Sequence, residues 1–280
     1  GRYILDYKKN TLIGISDRAV EWSVETTLAV KNGLVLNIDP TNLADGEWTG
    51  ITKYGDVRYD AGTKALVFNK NPENTAGEGG YLQLSRSNVD FKNGFTFEIY
   101  ASLDRLAYNN KRVNNLGLGM FCRMPSLTSA YQEAMRFGYT QAKTLCKFHS
   151  VSSWNGSGTG YLSTSSGSVI SSSLGYSTNT DFYMTIVYNR TDESLDKVEY
   201  YINGELVGST YYGKDSYNLG LDTWNNTSCP FFIGVTPWHQ NGNLYFLKGS
   251  VYSCRLYTTS MTAEQVKDNM DMTQKYRASF

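Results

Sequence analysis

The sequence predicts an all-β fold of antiparallel strands that ends in a short helix. In several runs apolar residues recur at every second position, as a pleated strand with one buried face requires. Clusters of Gly, Asn, Asp and Ser separate these runs at the spacing of hairpins. Aromatic residues make up 14% of the 280 residues and include 22 tyrosines, a composition typical of β proteins.

The clearest pair of hairpins lies between residues 181 and 210. From Phe182 to Tyr188 every second residue shares one apolar face, and the almost entirely polar stretch 190–197 indicates a turn. Asn203-Gly204 then provides the two residues that tolerate positive φ in a type I′ turn. We therefore expect residues 205–210 to fold back against residues 198–202.

Seven further segments alternate in the same way or are compact apolar runs bounded by turn residues. They are residues 33–39, 65–69, 80–84, 95–103, 117–123, 135–140 and 144–149. Because the alternation in 95–103 is strict, we expect one face of this strand in the core and a polar or solvated opposite face. Residues 42–61 are rich in Gly, Asp and Thr, and are predicted to form a long loop.

The segment 154–175 is rich in Ser and Gly, yet Tyr161, Leu162, Val169 and Ile170 form strand-like islands within it. This pattern favours an internal loop or edge strand over a linker between domains. Residues 1–31 mix short β-like runs with a stretch at 17–24 that fits one or two helical turns, so they are interpreted as a neck or connector.

A short helix is predicted near the end of the chain. Thr262 precedes it, and Gln265 follows three residues later, which is the spacing of a capping box. Val266 and Met270 are one turn apart, so they lie on the same apolar stripe and can face the sheet.

Three of these segments resemble the laminin G-like type of concanavalin A-like jelly-roll domain. They are KVEYYINGELVGS at 197–209, FTFEIYASL at 95–103, and the run 231–269 with its closing strands and helix. The resemblance covers roughly residues 33–276. It implies two antiparallel sheets packed face to face as a β-sandwich over residues 32–280, after the neck at 1–31. Because this family includes lectins, adhesion modules, glycosidases and structural appendages, the fold alone does not select a function.

Charge and hydropathy exclude two classes of partner. Lys plus Arg equals Asp plus Glu at 26 each, so no net field recruits nucleic acid or an anionic membrane. No apolar run approaches the ~18 residues that a membrane-spanning helix needs. We expect neither nucleic-acid binding nor membrane insertion.

The four cysteines form no CxxC pair and have no flanking histidines that would suggest zinc. They are Cys122, Cys146, Cys229 and Cys254, and three of them lie in strand-like runs, where a thiol packs as a small hydrophobe. Free thiols in the core are the favoured interpretation, and at least one disulfide is the alternative.

The sequence predicts no catalytic residues. Glycosidases of the resembled fold share a strand motif of the form E-x-D-x-E, which this chain lacks. Glu98 has no acidic partner on its face of the strand, and the acidic stretch 192–196 is a solvated turn. His149 and His239 lie in no recognisable nucleophile context. A glycoside hydrolase is therefore the least favoured alternative.

No cofactor is predicted, with calcium kept as a less favoured alternative. Many members of the resembled family bind calcium, and their closing strand often carries an Asp where this chain has Tyr252. Calcium needs several converging oxygen ligands. The carboxylates that could contribute are Asp39, Asp45, Asp56 and Asp60.

Three predicted loops place a tryptophan beside amide or imidazole side chains. A flat ring suits the C–H face of a sugar, and amides suit its hydroxyls. The alternative for each tryptophan is that it plugs an end of the sandwich. The candidate ligand-binding residues are Trp154, Asn155, Trp224, Asn226, Trp238, His239 and Asn241.

These observations predict a non-catalytic binding module of a surface or secreted protein. Its expected partner is a glycan or cell-surface polysaccharide, with a protein ligand as an alternative. The expected location is extracellular or at the cell surface. A structural or adhesion appendage of a cell-surface or phage virion protein is the second hypothesis.

Overall fold

The computed structural model describes residues 4–6, 11–13, 29–39, 51–69, 79–84, 94–104, 116–122, 133–140, 144–150, 169–170, 180–190, 195–213, 231–237 and 244–279. The strands in these ranges are β1 (Ile4–Asp6), β2 (Thr11–Ile13), β3 (Leu34–Ile38), β4 (Ile51–Tyr54), β5 (Val57–Asp60), β6 (Ala65–Phe68), β7 (Tyr81–Leu84), β8 (Phe95–Leu103), β9 (Leu116–Cys122), β10 (Glu133–Thr140), β11 (Thr144–Ser150), β12 (Val169–Ile170), β13 (Asp181–Asn189), β14 (Leu195–Ile202), β15 (Glu205–Gly213), β16 (Phe231–Ile233), β17 (Val235–Pro237), β18 (Leu244–Phe246) and β19 (Gly249–Tyr257). The helix α1 spans Ala263–Arg277.

Two large antiparallel sheets form the sandwich. The seven-stranded sheet has the order β12-β11-β10-β9-β16-β7-β4 within the described ranges. The other sheet has the order β15-β14-β13-β8-β19-β6-β5, and β3 also pairs with β19. In β19 the first half pairs with β6 and the second half with β3, while β8 pairs along its other edge. This second sheet is called the eight-stranded sheet below.

The core lies between the two sheets and is filled from both. Phe97 on β8 faces Phe231 on β16, with ring centroids 6.2 Å apart. Leu82 on β7 and Ile186 on β13 are fully buried in the same cluster. Apolar alternation therefore selects the inner face of each sheet, as the sequence predicted.

The second face of β8 is polar, as predicted, and the part of it that α1 covers is buried. Thr96 and Glu98 are 0% and 1% exposed. The opposite faces of β13 and β19 are buried as well, at Val187 and Tyr257. The physical reason is α1, whose residues Val266 and Asn269 are buried against this outer face of the eight-stranded sheet.

Local signals in the sequence placed several elements correctly. Asn203 and Gly204 have φ of 51° and 79°, as a type I′ turn requires. Thr262 caps α1 in a complete capping box with Gln265. Val169–Ile170 pairs with β11 at the edge of its sheet, in agreement with the edge-strand interpretation.

The long loop predicted at 42–61 is wrong in its second half, where β4 and β5 form. Val57 on β5 is 2% exposed, and Ile51 on β4 packs against the core. Gly55, with φ of 57°, lies between the two strands. Because this segment is rich in polar residues, its two short edge strands could not be recognised from apolar alternation.

The strands β1 and β2 pair antiparallel in a separate two-stranded sheet. The helical turns expected at 17–24 lie outside the described residues, and the division into neck and domain stays a prediction. No helix in the described ranges has the length and hydropathy to cross a membrane. Cys254 is a free thiol fully buried in the core, while the other three cysteines lack a described side chain.

Candidate functional site

The seven candidate ligand-binding residues lie outside the described residues, so their roles stay predictions. They are Trp154, Asn155, Trp224, Asn226, Trp238, His239 and Asn241. Three of them fall in the segment 238–243, which joins β17 to β18. The base of that hairpin is described, and it leads to the site below.

An aromatic patch lies on the outer face of the seven-stranded sheet. It consists of Tyr54, Tyr81, Phe232 and Phe246. The rings of Tyr54 and Tyr81 stack with centroids 4.6 Å apart and an angle of 12°. Phe232 and Phe246 support Tyr81 at 6.0 and 6.3 Å. Tyr54 is 39% exposed, so this stack ends in a ring at the protein surface.

Strand register brings these residues to one face. Tyr54 on β4 is directly opposite Tyr81 on β7. Leu82 points into the core, so Tyr81 points outward by the alternation of a pleated strand. Phe232 is likewise the outward neighbour of the core residue Phe231. Tyr54, Tyr81 and Phe232, on the neighbouring strands β4, β7 and β16, therefore lie on the same outer face.

Two polar side chains occupy the next row of this face. Thr52 on β4 pairs with Gln83 on β7, and each is two residues from a tyrosine of the stack. On its other side Gln83 pairs with Phe232 on β16. Two residues along a strand span about 7 Å. Thr52 is exposed and Gln83 is half-buried. The exposed ring of Tyr54 and the partly exposed ring of Tyr81 therefore have a hydroxyl and an amide beside them on the same face.

The patch can supply both kinds of contact that a sugar offers. The exposed ring of Tyr54 can cover an apolar C–H face, and Gln83 can donate to or accept from hydroxyls. Burial, and then the neighbouring Tyr54, raises the pKa of Tyr81 above its ordinary value. The phenol of Tyr81 is therefore even further from ionisation at neutral pH than an ordinary tyrosine.

Glu98, the acid on the central strand, is held in a buried ion pair. The Nη1 group of Arg255 donates to its Oε1 at 3.0 Å, and the amide of Asn269 on α1 donates to both carboxylate oxygens at 3.3 Å. Arg255 also donates to Thr273 on α1 at 2.9 Å. Glu98 therefore attaches the helix to the sheet.

The same network reaches the chain that enters the domain. The backbone N–H of Val30 donates to Asn269 at 2.8 Å, and Arg255 Nε donates to Asn37 at 3.1 Å. Burial, and then Glu98, raises the pKa of the surrounding phenols Tyr183 and Tyr257. The cluster is closed to solvent and has a structural role.

A second tyrosine pair lies on the eight-stranded sheet beyond the end of α1. Tyr252 and Tyr100 donate to the two carboxylate oxygens of Asp181 at 2.9 and 3.3 Å. Tyr252 occupies a bulge in β19, and Arg277 lies 4.6 Å from its ring centre. Arg277 also donates to the carbonyl of Thr63, so this pair forms part of the anchor of the helix end. Tyr252, which the sequence has where the resembled family often carries an Asp, is a phenol that binds a carboxylate from β13.

The calcium alternative gains no support among the side chains that the structure describes, where no three His, Cys, Asp or Glu residues converge. Asp60 accepts instead from the backbone of Gly62 and Thr63 at 2.8 and 3.2 Å, as a turn residue does. Asp45 lies outside the described ranges.

Sequence reasoning missed the aromatic patch. Tyr54 falls in the segment predicted as a loop, and Tyr81 was one residue of an ordinary strand. Alternation could have identified Tyr81 as outward-facing, since its neighbour Leu82 lies in the core. The stacking of Tyr54 on Tyr81 depends on the pairing of β4 with β7, which the sequence does not specify.

Comparisons with known proteins agree with this architecture. The laminin G-type family model described as "Concanavalin A-like lectin/glucanases superfamily" matches residues 76–267, more than half of the chain. No curated protein sequence matches the chain significantly.

Several solved structures share the fold at low sequence identity. The binding domain of botulinum neurotoxin DC, solved with rat synaptotagmin II, has 12% identity and a TM-score of 0.53, with 86% of this chain and 52% of that chain covered. The botulinum neurotoxin serotype C1 binding domain has 11% identity and a TM-score of 0.52, covering 80% and 47%. Domain 4 of the GH43 extracellular arabinanase AbnA from Geobacillus stearothermophilus, solved with arabinotriose, has 16% identity and a TM-score of 0.47, covering 85% and 98%. The chain therefore spans about half the length of the neurotoxin domains.

Proposed function

The chain belongs to the concanavalin A-like lectin/glucanases superfamily, and we propose that it is a non-catalytic module that binds carbohydrate. We place it on a secreted or surface-displayed protein, with a virion protein as the alternative setting. Its ligand is a glycan or cell-surface polysaccharide that contacts the aromatic patch.

The single observation that supports this function is the exposed tyrosine stack. Tyr54 and Tyr81 are stacked at 4.6 Å, and Phe232 and Phe246 hold Tyr81 from behind. A ring fixed in this way loses little conformational entropy when a ligand covers it, which favours binding. Large apolar rings at a surface mark ligand contacts more often when polar groups flank them, as Gln83 and Thr52 do here.

Three of the predicted loop residues follow a strand that pairs with a residue of the patch. β17 begins at Val235, which pairs with Phe246 of the patch. The segment with Trp238, His239 and Asn241 follows directly after β17 in the chain. These residues are therefore proposed as a second part of the same binding surface, whereas Trp154 and Trp224 stay separate candidates.

The absence of catalysis is proposed from Glu98. This acid is paired with Arg255 and covered by α1, so it is unavailable to a glycosidic bond. Retaining hydrolysis needs two carboxylates about 5 Å apart, both open to substrate. The similarity to neurotoxin binding domains is compatible with a binding role for this chain. It does not identify the ligand.

A glycan array tests the proposal. We expect the full chain to bind a restricted set of glycans, and Tyr54→Ala to lose that signal. Leu206→Ala is the matched control, since Leu206 is an exposed apolar residue, 52% accessible, at the edge of the other sheet. Binding to no glycan, together with self-association that rises with concentration, would replace the lectin proposal by the structural appendage.

A further inference from the structure

Asn69 is a buried polar residue that joins three segments of the chain. It is 2% exposed and has a φ of 53°, in the left-handed region that Asn tolerates better than most residues. Its side-chain Nδ2 donates to the carbonyls of Gly80 at 3.0 Å and Leu247 at 2.6 Å. Its Oδ1 accepts from the N–H of Gly80, and its own N–H donates to the carbonyl of Asp56 at 2.9 Å.

Each of these segments carries one ring of the aromatic patch. Asp56 is two residues after Tyr54, Gly80 immediately precedes Tyr81, and Leu247 immediately follows Phe246. We infer that Asn69 is the positioning residue of the binding site, which sets the stack of Tyr54 on Tyr81 without touching the ligand. This inference rests on the proposed function.

The geometry requires an amide at this position. A single side chain must donate to two carbonyls and accept from one N–H, and Asp can only accept at neutral pH. The chain around Gly79 and Gly80 also packs so closely against its neighbours that no side chain fits at either position. A Cβ on Gly79 would overlap the ring of Phe246, and one on Gly80 would overlap the backbone of Asp56.

The same amide also binds Leu247, the residue that follows β18. Leu247, whose carbonyl Asn69 binds, donates its own N–H to Gly234 at 2.8 Å. Gly234 and Leu247 flank the strands β17 and β18. The side chain of Asn69 therefore ties Gly80, which precedes Tyr81, to Leu247 at the base of the hairpin.

Two variants of the full chain separate positioning from simple stability. Asn69→Asp keeps size and shape but removes both donors, and Asn69→Gly keeps the backbone conformation but removes all side-chain hydrogen bonds. The matched control is Asn203→Gly. Asn203 has nearly the same φ, 51°, and accepts from the backbone of Tyr183 at 2.9 Å, on the opposite sheet.

The first measurement is affinity for the array-selected oligosaccharide, at a temperature where each variant is shown to be folded. We expect Asn69→Asp and Asn69→Gly to bind about tenfold more weakly, a change of ~1.4 kcal/mol, while Asn203→Gly keeps the affinity of the parent chain. In a double-mutant cycle Tyr54→Ala should reduce the binding affinity less when Asn69 is already replaced than in the parent chain. The reason is that replacing Asn69 has already disturbed the stack. Unchanged affinity in a folded Asn69 variant, or losses that add in full, would overturn the inference.

The second measurement uses no ligand, so it separates failure of the inference from failure of the proposed function. Ring proton signals of Tyr54 and Tyr81 report their stacking by NMR. They should shift in both Asn69 variants and stay in place in Asn203→Gly. If the parent chain binds no glycan, the lectin function is wrong, and these signals alone decide whether Asn69 sets the stack. If Asn69→Asp does not fold, Asn69→Gly carries both measurements.

Discussion

Arg255 donates a hydrogen bond of 3.0 Å to Glu98 at a site where their side chains are only 3% and 1% exposed. The pair lies between the eight-stranded sheet and α1, and Asn269 and Thr273 of the helix complete its hydrogen bonds. The relationship explains two features at once. It holds the last helix on the sheet, and it keeps the carboxylate of the central strand paired and covered by α1.

We predict that Glu98→Ala lowers the free energy of unfolding by about 3–5 kcal/mol. The cause is Arg255, which would keep its charge inside the protein without its carboxylate partner. Urea unfolding followed by far-ultraviolet circular dichroism measures the change.

The control for that experiment is Asp271→Ala, which breaks the exposed pair that Asp271 forms with Lys267 on the same helix. Their side chains are 51% and 56% exposed, so water replaces the lost contact and stability should barely change. Equal effects of the two substitutions would show that burial of the Glu98 pair has no energetic consequence.

A second prediction concerns alkaline pH. Burial, and then Asp181, raises the pKa of Tyr100 from 10.0 to about 12. The folded protein thus favours the neutral phenol more than the unfolded chain does. The contribution of Tyr100 to stability is complete below pH 10 and is lost as the pH rises from 10 through about 12.

The measurement is unfolding by urea at several pH values, for the parent chain and for Tyr100→Phe, which has no phenolic proton. The parent should lose more stability than Tyr100→Phe between pH 10 and 12. Parallel pH profiles would mean that the environment of Tyr100 does not favour its neutral form.

The third prediction concerns the thiol of Cys254. Its side chain is fully buried, and desolvation raises its pKa above its ordinary value. Since the thiolate is the reactive form, iodoacetamide at pH 8 should label Cys254 only after unfolding. Peptide mass spectrometry of native and unfolded samples measures the labelling. Native labelling at the unfolded rate would contradict the buried position.

Much of the fold could be predicted because its signals are local. The type I′ turn at Asn203-Gly204 and the capping box of Thr262 with Gln265 each depend on a few neighbouring residues, and both are confirmed. The strand 95–103 was recognised by alternation alone. Its outer face is polar as predicted, but its burial could not be foreseen because the helix that covers it comes more than 150 residues later in the chain.

The candidate site was harder to predict because it depends on pairings between distant segments. Tyr54 meets Tyr81 only through the register of β4 on β7. Asn69 looks like an ordinary residue at a strand end, although its side chain binds Leu247, which is 178 residues away. The predicted loop tryptophans rested on side-chain chemistry alone and stay a hypothesis.

We propose that the exposed face of the Tyr54 stack contacts carbohydrate, and isothermal titration with the array-selected oligosaccharide measures the contribution of this contact to binding. We predict that Tyr54→Ala weakens binding about tenfold or more, as truncation of an aromatic contact residue does, with Leu206→Ala close to the parent chain. Equal affinity of Tyr54→Ala and the parent chain would contradict the claim and move the binding surface elsewhere on the protein.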